Sequence, residues 1–345
     1  MNTEAMVMQR ALQLARLGMG EVAPNPMVGC VIIHPEKGII GEGYHQKFGE
    51  AHAEVNAIAM VENEEWLKES TLYVTLEPCS HFGKTPPCAD LILEKKIPGV
   101  VICNPDPHPL VAGQGIARLR SGGVWVQTGL LEKEGARLNR FFFHAISKKR
   151  PFITLKWAQT RDGFLARSDG SSKWISGPES RQMVHKMRAE HQAIWVGGNT
   201  LLTDNPALTV RDWSGKNPVR IVADPGLGLP SHLQVFRDSS APTWVFNKTR
   251  SETESHIRWI AIPFEDPLNE IMDVLLSEGI HSVFVEGGGR LLKSFTEAKL
   301  WDEACVFTGK ERFGGGIPAP LLQNSVLQTF GQSGTDLLQI FSPLP

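Results

Sequence analysis

Residues 71–81 read Thr-Leu-Tyr-Val-Thr-Leu-Glu-Pro-Cys-Ser-His, a β-branched and aromatic run that ends in Glu-Pro-Cys. The first six residues predict a strand, because β-branched and aromatic side chains favour pleated backbone. Proline withdraws a backbone donor from a ladder, so the strand is expected to end at Pro78. The stretch therefore places Cys79 at a strand end, where a side chain can bind a metal.

Two other motifs accompany this stretch: His-Ala-Glu at 52–54 and a second cysteine, Cys88. One imidazole and two thiolates suit Zn²⁺, and three protein ligands leave the fourth tetrahedral position for water. A nearby carboxylate can move a proton between that water and a substrate. His-x-Glu followed by Pro-Cys is typical of zinc nucleobase deaminases. We therefore predict that His52, Cys79 and Cys88 bind the metal and that Glu54 transfers the proton.

The other cysteines favour a catalytic site over a closed structural zinc site. No fourth cysteine or histidine stands at a suitable short spacing, and Cys30, Cys103 and Cys305 lie in apolar runs typical of a core. Five cysteines in a long chain are an odd number for a disulfide framework. We predict reduced thiols in a cytoplasmic protein.

Composition limits the class of protein. A length of 345 residues suggests two domains, and 41% hydrophobic with 21% charged residues is ordinary for globular chains. The net charge of −2 gives no broad positive surface for nucleic acid or an anionic membrane. The sequence shows neither an eighteen-residue apolar run nor a secretory signal pattern.

Strands alternate with helices throughout, which indicates α/β architecture. A charged stretch followed by proline at 147–151 predicts the boundary between domains 1–147 and 148–345. In the second domain a glycine triplet, 287–289, follows a predicted strand and precedes a predicted helix. Backbone N–H groups at such a turn can hold a phosphate, although glycine turns are also common structural devices.

Longer strings resemble the bifunctional deaminase/reductase family of riboflavin biosynthesis. The eight residues between Cys79 and Cys88 fit this family better than the Pro-Cys-x-x-Cys of ordinary cytidine and tRNA deaminases. The resembling strings are 24–29, 43–45, 52–55, 75–81, 106–109, 111–115, 155–163, 172–176, 188–194, 196–200, 204–211, 285–288 and 300–303.

The resemblance implies a cytidine-deaminase-like three-layer domain followed by a dihydrofolate-reductase-like domain. It implies zinc-dependent deamination of 2,5-diamino-6-ribosylamino-4(3H)-pyrimidinone 5′-phosphate, then reduction of the ribose to a ribityl chain by NADPH. The partner would be this small phosphorylated substrate, with a homo-oligomer possible. A monofunctional deaminase with a degenerate second domain, a nucleic-acid deaminase and an inactive scaffold are the alternatives.

The resemblance also implies residue roles. In the first domain Asn25 and His45 would contact the base or ribose, and His81 and Lys84 the phosphate. In the second domain Lys156 and Asp204 would donate or accept protons. NADPH would be lined by Ala158, Trp174, Thr200, Asp204, Gly287, Gly288 and Gly289, and the substrate held by Ser172, Arg188, Leu208, Arg211 and Glu286.

Several of these residues also have ordinary structural interpretations. Taken alone, Lys84 is a solvated loop lysine, and Trp174 and Leu208 are core residues. Arg188 on a helix is a surface ion-pair partner, and Asp204 begins an Asp-Asn-Pro turn. Their joint order along the chain favours the site interpretation.

Overall fold

The structure, a computed structural model, describes residues 3–81, 86–108, 112–172 and 175–344. The chain divides into two compact units at Lys149 and Arg150. Each unit has its own sheet and its own buried cores. Within the described ranges, no helix combines the length and the apolar character needed to cross a bilayer.

The first unit contains a five-stranded sheet in the order β2-β1-β3-β4-β5. Strand β1 pairs antiparallel with β2 and β3, and β3, β4 and β5 run parallel. A 3-10 helix, Glu64–Glu69, precedes β3. The other elements are α1 Thr3–Arg16, β1 Gly29–His34, β2 Gly38–Tyr44, α2 Ala53–Ala59, β3 Thr71–Leu76, α3 Cys88–Glu94, β4 Gly99–Asn104, α4 Gln114–Ser121, β5 Trp125–Thr128, α5 Glu132–Leu138 and α6 Arg140–Lys148.

Alternating side chains of this sheet separate two cores, which makes the unit a three-layer domain. Ile32 and Val74 pack with α2, α3 and α4 on one face. Val31 and Tyr73 pack with α1 and α5 on the other face. The strand predicted over 71–76 is confirmed residue for residue. His34 ends β1, pairs with Gly38 of β2 and is buried.

The second unit contains a ten-stranded sheet in the order β11-β12-β10-β9-β8-β13-β6-β14-β17-β16. The seven strands from β12 to β14 are parallel, and a two-stranded ribbon joins β7 to β15. The elements are β6 Phe152–Gln159, β7 Phe164–Ala166, α7 Pro178–Glu190, β8 Ala193–Trp195, α8 Gly198–Asp204, β9 Val219–Ala223, α9 Gln234–Arg237, β10 Thr243–Asn247, β11 Glu252–Glu254, β12 Ile257–Ala261, α10 Pro267–Ser277, β13 Ser282–Glu286, α11 Gly289–Glu297, β14 Glu303–Thr308, β15 Ile317–Pro318, β16 Ser325–Ser333 and β17 Asp336–Pro343.

Helices cover both faces of the parallel strands, as the connections between parallel strands require. Leu155 and Val285 pack with α10 and α11 on one face. Ile194 and Phe284 pack with α7, α8 and α9 on the other. The first strand of the unit, β6, lies between β13 and β14, which come last among the parallel strands. The carboxyl ends of β6, β8 and β13 therefore meet at one edge of the sheet.

Candidate active sites

Three element ends bring the predicted metal ligands together in the first unit. His52 is the residue immediately before α2, and its backbone is extended. Cys79 follows β3, and Cys88 is the first residue of α3. The three donor atoms all lie within 4.8 Å of one another. The fold thus brings His52 close to two cysteines that lie 27 and 36 residues later in the sequence.

The distances among these donors match a tetrahedral zinc site. His52 Nδ1 lies 3.6 Å from Cys79 Sγ and 3.3 Å from Cys88 Sγ. Zinc–sulfur and zinc–nitrogen bonds of about 2.3 and 2.0 Å at a tetrahedral angle separate sulfur from nitrogen by about 3.5 Å. Hydrogen bonds from the Cys88 thiol and the His52 imidazole lower the pKa of Cys79 to about 4, although burial alone would raise it. The backbone N–H of Cys88 also donates to the Cys79 sulfur. The residues present fit the zinc ion.

Glu54 lies in the first turn of α2 and is only 3% exposed. Burial raises the pKa of its carboxyl, and the charge of His52 partly opposes that effect. A carboxyl whose pKa is raised toward neutrality can both accept and return a proton. The position and chemistry of Glu54 therefore suit proton transfer beside the metal ligands.

Close packing of α2 against β2 depends on Gly43. A Cβ atom at Gly43 would lie 2.4 Å from the nitrogen of Ala57 and 2.5 Å from the oxygen of Ala53. Any larger residue would have to push α2 away from the sheet. This contact fixes the helix start that carries His52 and Glu54.

Asn25 and His45 form a pair beside the metal ligands. The His45 ring packs edge-on against the His52 ring at 5.5 Å between centroids. Its Nδ1 donates to the Ala51 carbonyl at 3.1 Å, and its Nε2 accepts from Asn25 Nδ2 at 3.4 Å. His81, two residues after Cys79, is exposed. Lys84 lies outside the described residues.

A cleft of about 2030 Å³ lies in the second unit at the carboxyl edge of the parallel strands. Most of the residues predicted for this unit line it. They are Lys156, Ala158, Ser172, Arg188, Thr200, Asp204, Leu208, Glu286, Gly287, Gly288 and Gly289. Cofactor and substrate clefts of α/β sheets occupy this edge.

Lys156, Arg188 and Glu286 form a charged cluster in the floor of the cleft. Arg188 donates through Nε and Nη2 to the two Glu286 oxygens, each at 2.7 Å, and through Nη1 to the Thr209 carbonyl at 3.0 Å. Lys156 and Glu286 are register partners on adjacent strands. Burial lowers the pKa of Lys156; burial alone would raise the pKa of Glu286, but Arg188 and Lys156 hold it below its usual value.

The glycine turn after β13 opens the N-terminus of α11 to the cleft. Gly287 and Gly288 have φ of 64° and 76°, in the left-handed region that glycine adopts without strain. A Cβ atom at Gly288 would lie 3.0 Å from Thr200 Oγ1. The bare backbone leaves room for an anionic group near the helix N–H groups.

The remaining predicted residues of this unit differ in their placement. Asp204 ends α8 and is exposed at the rim, and Leu208 is buried with a φ of 56° while also lining the cleft. Arg211 is exposed and lies outside the lining. Its backbone N–H donates to His185 Nδ1 at 3.2 Å. Trp174 falls outside the described residues.

Sequence reasoning assigned no role to two carboxylates and one segment that the structure connects with these sites. Glu77 is buried and accepts four backbone N–H groups. Asp162 accepts backbone N–H groups of Phe313 and Gly314. Residues 317–322, which belong to none of the resembling strings, also line the cleft. For Glu77, the sequence signal was an acidic residue directly before Pro78-Cys79.

Family models match both halves of the chain. Residues 1–104 match the zinc-binding region of cytidine and deoxycytidylate deaminases. Residues 151–330 match the RibD C-terminal domain.

Whole-chain relatives show the same pairing. The riboflavin biosynthesis protein RibD of Aquifex aeolicus is 44% identical over 315 residues, which cover 90% of this chain and 88% of the relative. The RibD protein of Bacillus amyloliquefaciens is 40% identical over 94% of this chain and 90% of its own length. The crystal structure of a diaminohydroxyphosphoribosylaminopyrimidine deaminase/5-amino-6-(5-phosphoribosylamino)uracil reductase from Thermotoga maritima is similar, with a TM-score of 0.90 and 37% identity over 99% of this chain and 98% of that one.

Proposed function

This chain belongs to the RibD family of bifunctional riboflavin biosynthesis deaminase/reductases, and we propose how its residues divide the two reactions. The deaminase is assigned to residues 1–147 and the reductase to residues 148–345. The convergence of His52, Cys79 and Cys88 beside buried Glu54 is the observation that carries the deaminase assignment.

The first unit removes the ring amino group of 2,5-diamino-6-ribosylamino-4(3H)-pyrimidinone 5′-phosphate as ammonia. Zinc held by His52, Cys79 and Cys88 supplies Lewis-acid chemistry that makes water nucleophilic near neutral pH. Glu54 takes a proton from the attacking water and delivers it toward the leaving amine. Burial of the Glu54 carboxyl, which raises its pKa, suits it to both directions of transfer.

Recognition of the pyrimidine ribotide is assigned to four residues. Asn25 and His45 stand next to His52 and offer hydrogen-bonding groups to the base or ribose. His81 and Lys84 follow Cys79 in sequence and are proposed to bind the phosphate, which favours cationic donors. The exposure of His81 suits contact with a ligand entering from solvent.

The second unit reduces the ribose of the deaminated product to a ribityl chain. NADPH, when bound, would supply a hydride for C1′ of the opened ribose or its imine. Lys156, half-buried and in register with Glu286 on the adjacent strand, is proposed to donate or hold a proton at the reacting ribose, with Asp204 as a second candidate at the rim. Ser172, Arg188, Leu208, Arg211 and Glu286 are assigned to the substrate.

The cofactor is assigned to the part of the cleft that contains the glycine turn. Gly287, Gly288 and Gly289 leave space at the N-terminus of α11 for a phosphate. Thr200 faces this turn, and Ala158 and Asp204 line the same cleft. Trp174 retains its assignment from the sequence motif, outside the described residues.

Coupled turnover by the purified chain tests both assignments. Supplied with the diaminopyrimidine ribotide and NADPH, the protein is expected to release ammonia and then consume NADPH. Ammonia release without NADPH consumption, with authentic deaminated intermediate also unreduced, would support the monofunctional alternative. Bound zinc without either reaction would support an inactive scaffold, and turnover of cytidine in an oligonucleotide a nucleic-acid deaminase.

Assembly and location complete the proposal. We propose a homo-oligomer, as the family resemblance implies, and β16, the last strand of the ten-stranded sheet, offers an unpaired backbone edge for a second copy. The five cysteines are free thiols, which supports a cytoplasmic location. The net charge of −2 supports free small molecules as the ligands, in preference to nucleic acid or membrane.

A further inference from the structure

Glu77 is a buried carboxylate that is satisfied by backbone N–H groups. Its side chain is 4% exposed. Oε2 accepts from Asp106 at 3.1 Å and from Gly113 at 3.0 Å. Oε1 accepts from Gly115 at 2.9 Å and from Ile116 at 3.2 Å. Among the described residues, these four donors account for the hydrogen bonds of the carboxylate.

The four donors come from two places in the chain, one after β4 and one at the start of α4. Asp106 lies just beyond β4, whereas Gly113, Gly115 and Ile116 belong to the start of α4. Gly113 is the capping residue of α4 and has no side chain to accept the free N–H groups of the first turn. Glu77 supplies the missing acceptor from another element, and its charge suits the positive end of the helix.

The start of α4 also packs against the chain next to a proposed metal ligand. Glu77 is two residues before the ligand Cys79, and a Cβ atom at Gly115 would lie 2.0 Å from the Pro78 oxygen. Pro78 leads directly to Cys79 and, two residues later, to His81, so the start of α4 packs against the stretch of chain that carries both residues. The Asp106 side chain also accepts the His108 N–H at 2.8 Å.

We infer that Glu77 is a positioning residue of the deaminase, which fixes Asp106 and the start of α4 against the strand end and so shapes the substrate site around His81. This inference rests on the proposed deaminase function. Glu77 is not one of the three metal donors, and among the described residues its carboxylate bonds to the backbone N–H groups of Asp106 and of the start of α4. Its loss is therefore expected to weaken substrate binding more than it slows the chemical step.

The variant Glu77→Gln tests this inference. The amide keeps the shape but presents one oxygen, so two of the four N–H donors would face an NH₂ group. Hydrogen bonds to charged groups are worth enough to change an equilibrium about tenfold or more. We expect KM for the pyrimidine ribotide to rise about tenfold, kcat to change less than about threefold, and zinc to stay at one ion per chain.

Two controls accompany this variant. Glu94→Gln removes an exposed carboxylate from α3 of the same unit and is expected to leave KM unchanged. Slow hydrogen exchange in the β1, β3 and β4 peptides of the same Glu77→Gln preparation reports whether the first unit has folded. An unchanged KM in Glu77→Gln would overturn the inference, as would loss of zinc, since Glu77 would then support Cys79 and not the substrate site.

Hydrogen exchange of the unmodified protein gives an independent measurement. The peptides containing the N–H groups of Asp106, Gly113, Gly115 and Ile116 should exchange slowly, and faster in Glu77→Gln but not in Glu94→Gln. Rapid exchange in the unmodified protein would contradict the hydrogen bonds themselves. Failure of the deaminase assignment would look different, because the unmodified chain would then release no ammonia.

Discussion

At the scale of single residues, the sequence identified side chains whose chemistry is rare. His52, Glu54, Cys79 and Cys88 were predictable because an imidazole, a carboxylate and two thiolates at those spacings suit few structures other than a zinc site. Glu77 was not predictable, because its partners are backbone N–H groups that every residue except proline carries. The sequence shows which side chains are present, but it does not show which backbone N–H groups the fold brings to one carboxylate.

Glu54→Gln is expected to separate metal binding from proton transfer. The amide cannot accept and return the proton, so deaminase kcat should fall by a factor on the order of 10² to 10⁴. Zinc content should be unchanged, because Glu54 is not among the three donors. Exposed Glu62→Gln, just after α2, is the matched control. Ammonia release near the unmodified rate would remove Glu54 from the mechanism.

Arg188→Met is expected to destabilise the second unit. It leaves the buried Glu286 carboxylate without its bidentate partner, and breaking one side of a buried pair costs about 3–5 kcal/mol. Urea unfolding followed by tryptophan fluorescence reports mainly this unit, which holds seven of the nine tryptophans.

Arg258→Met serves as the matched control for that measurement. Its partner is Glu278, and both side chains are more than a third exposed, so the expected loss is below about 1 kcal/mol. Equal losses from the two substitutions would show that burial of the Arg188–Glu286 pair contributes nothing to stability.

At the scale of elements, periodic segments were predictable and irregular ones were not. The strand at 71–76 appears with the predicted bounds, and the strand predicted before the glycine triplet is β13. Residues 310–325 were assigned no function, because they belong to none of the strings that resemble the family. Tertiary hydrogen bonds place this segment on the cleft.

The segment is held by the turn between β6 and β7. The Asp162 carboxylate accepts from Gly314 at 2.8 Å and from Phe313 at 3.3 Å, and the Ala319 N–H donates to the Gly163 carbonyl at 2.9 Å. Hydrogen bonds from Thr160 and from these N–H groups lower the pKa of Asp162 to about 2. Strand β15 then pairs with β7 at the rim of the cleft.

Asp162→Asn is expected to loosen this segment and raise KM for NADPH about three- to tenfold, because one acceptor oxygen becomes an NH₂ donor. Deaminase turnover should not change. Asp169→Asn is the matched control, since Asp169 accepts the backbone N–H of Ser171 within its own turn. If both variants bind NADPH as the unmodified protein does, the segment does not contribute to the cofactor site.

At the scale of the whole molecule, two domains were predictable but their strand orders were not. Chain length and the break at 147–151 indicate two units, and alternating strands and helices indicate α/β layers. Which strands become neighbours depends on packing between residues far apart in sequence. The position of β6 between β13 and β14 has no local signal.

Separate cores predict that the two reactions can be divided between chains. A mixture of Glu54→Gln and Lys156→Met proteins should restore coupled turnover, because each keeps one intact site and the intermediate can diffuse. Each variant alone should complete only one step, measured as ammonia release or as NADPH consumption on supplied intermediate. No turnover by the mixture would indicate that the intermediate passes directly between sites of one chain.

The central position of β6 has a consequence for synthesis on the ribosome. The first unit has its whole sequence once residue 149 has emerged, whereas β6 gains neither neighbour until residues 282–308 have been made. Long-range pairing of this kind is slow and leaves strand edges open for longer. Nascent chains arrested near residue 250 should therefore contain a protease-resistant first unit followed by a protease-sensitive second half. The first unit could thus fold before β6 of the second unit has either of its neighbouring strands.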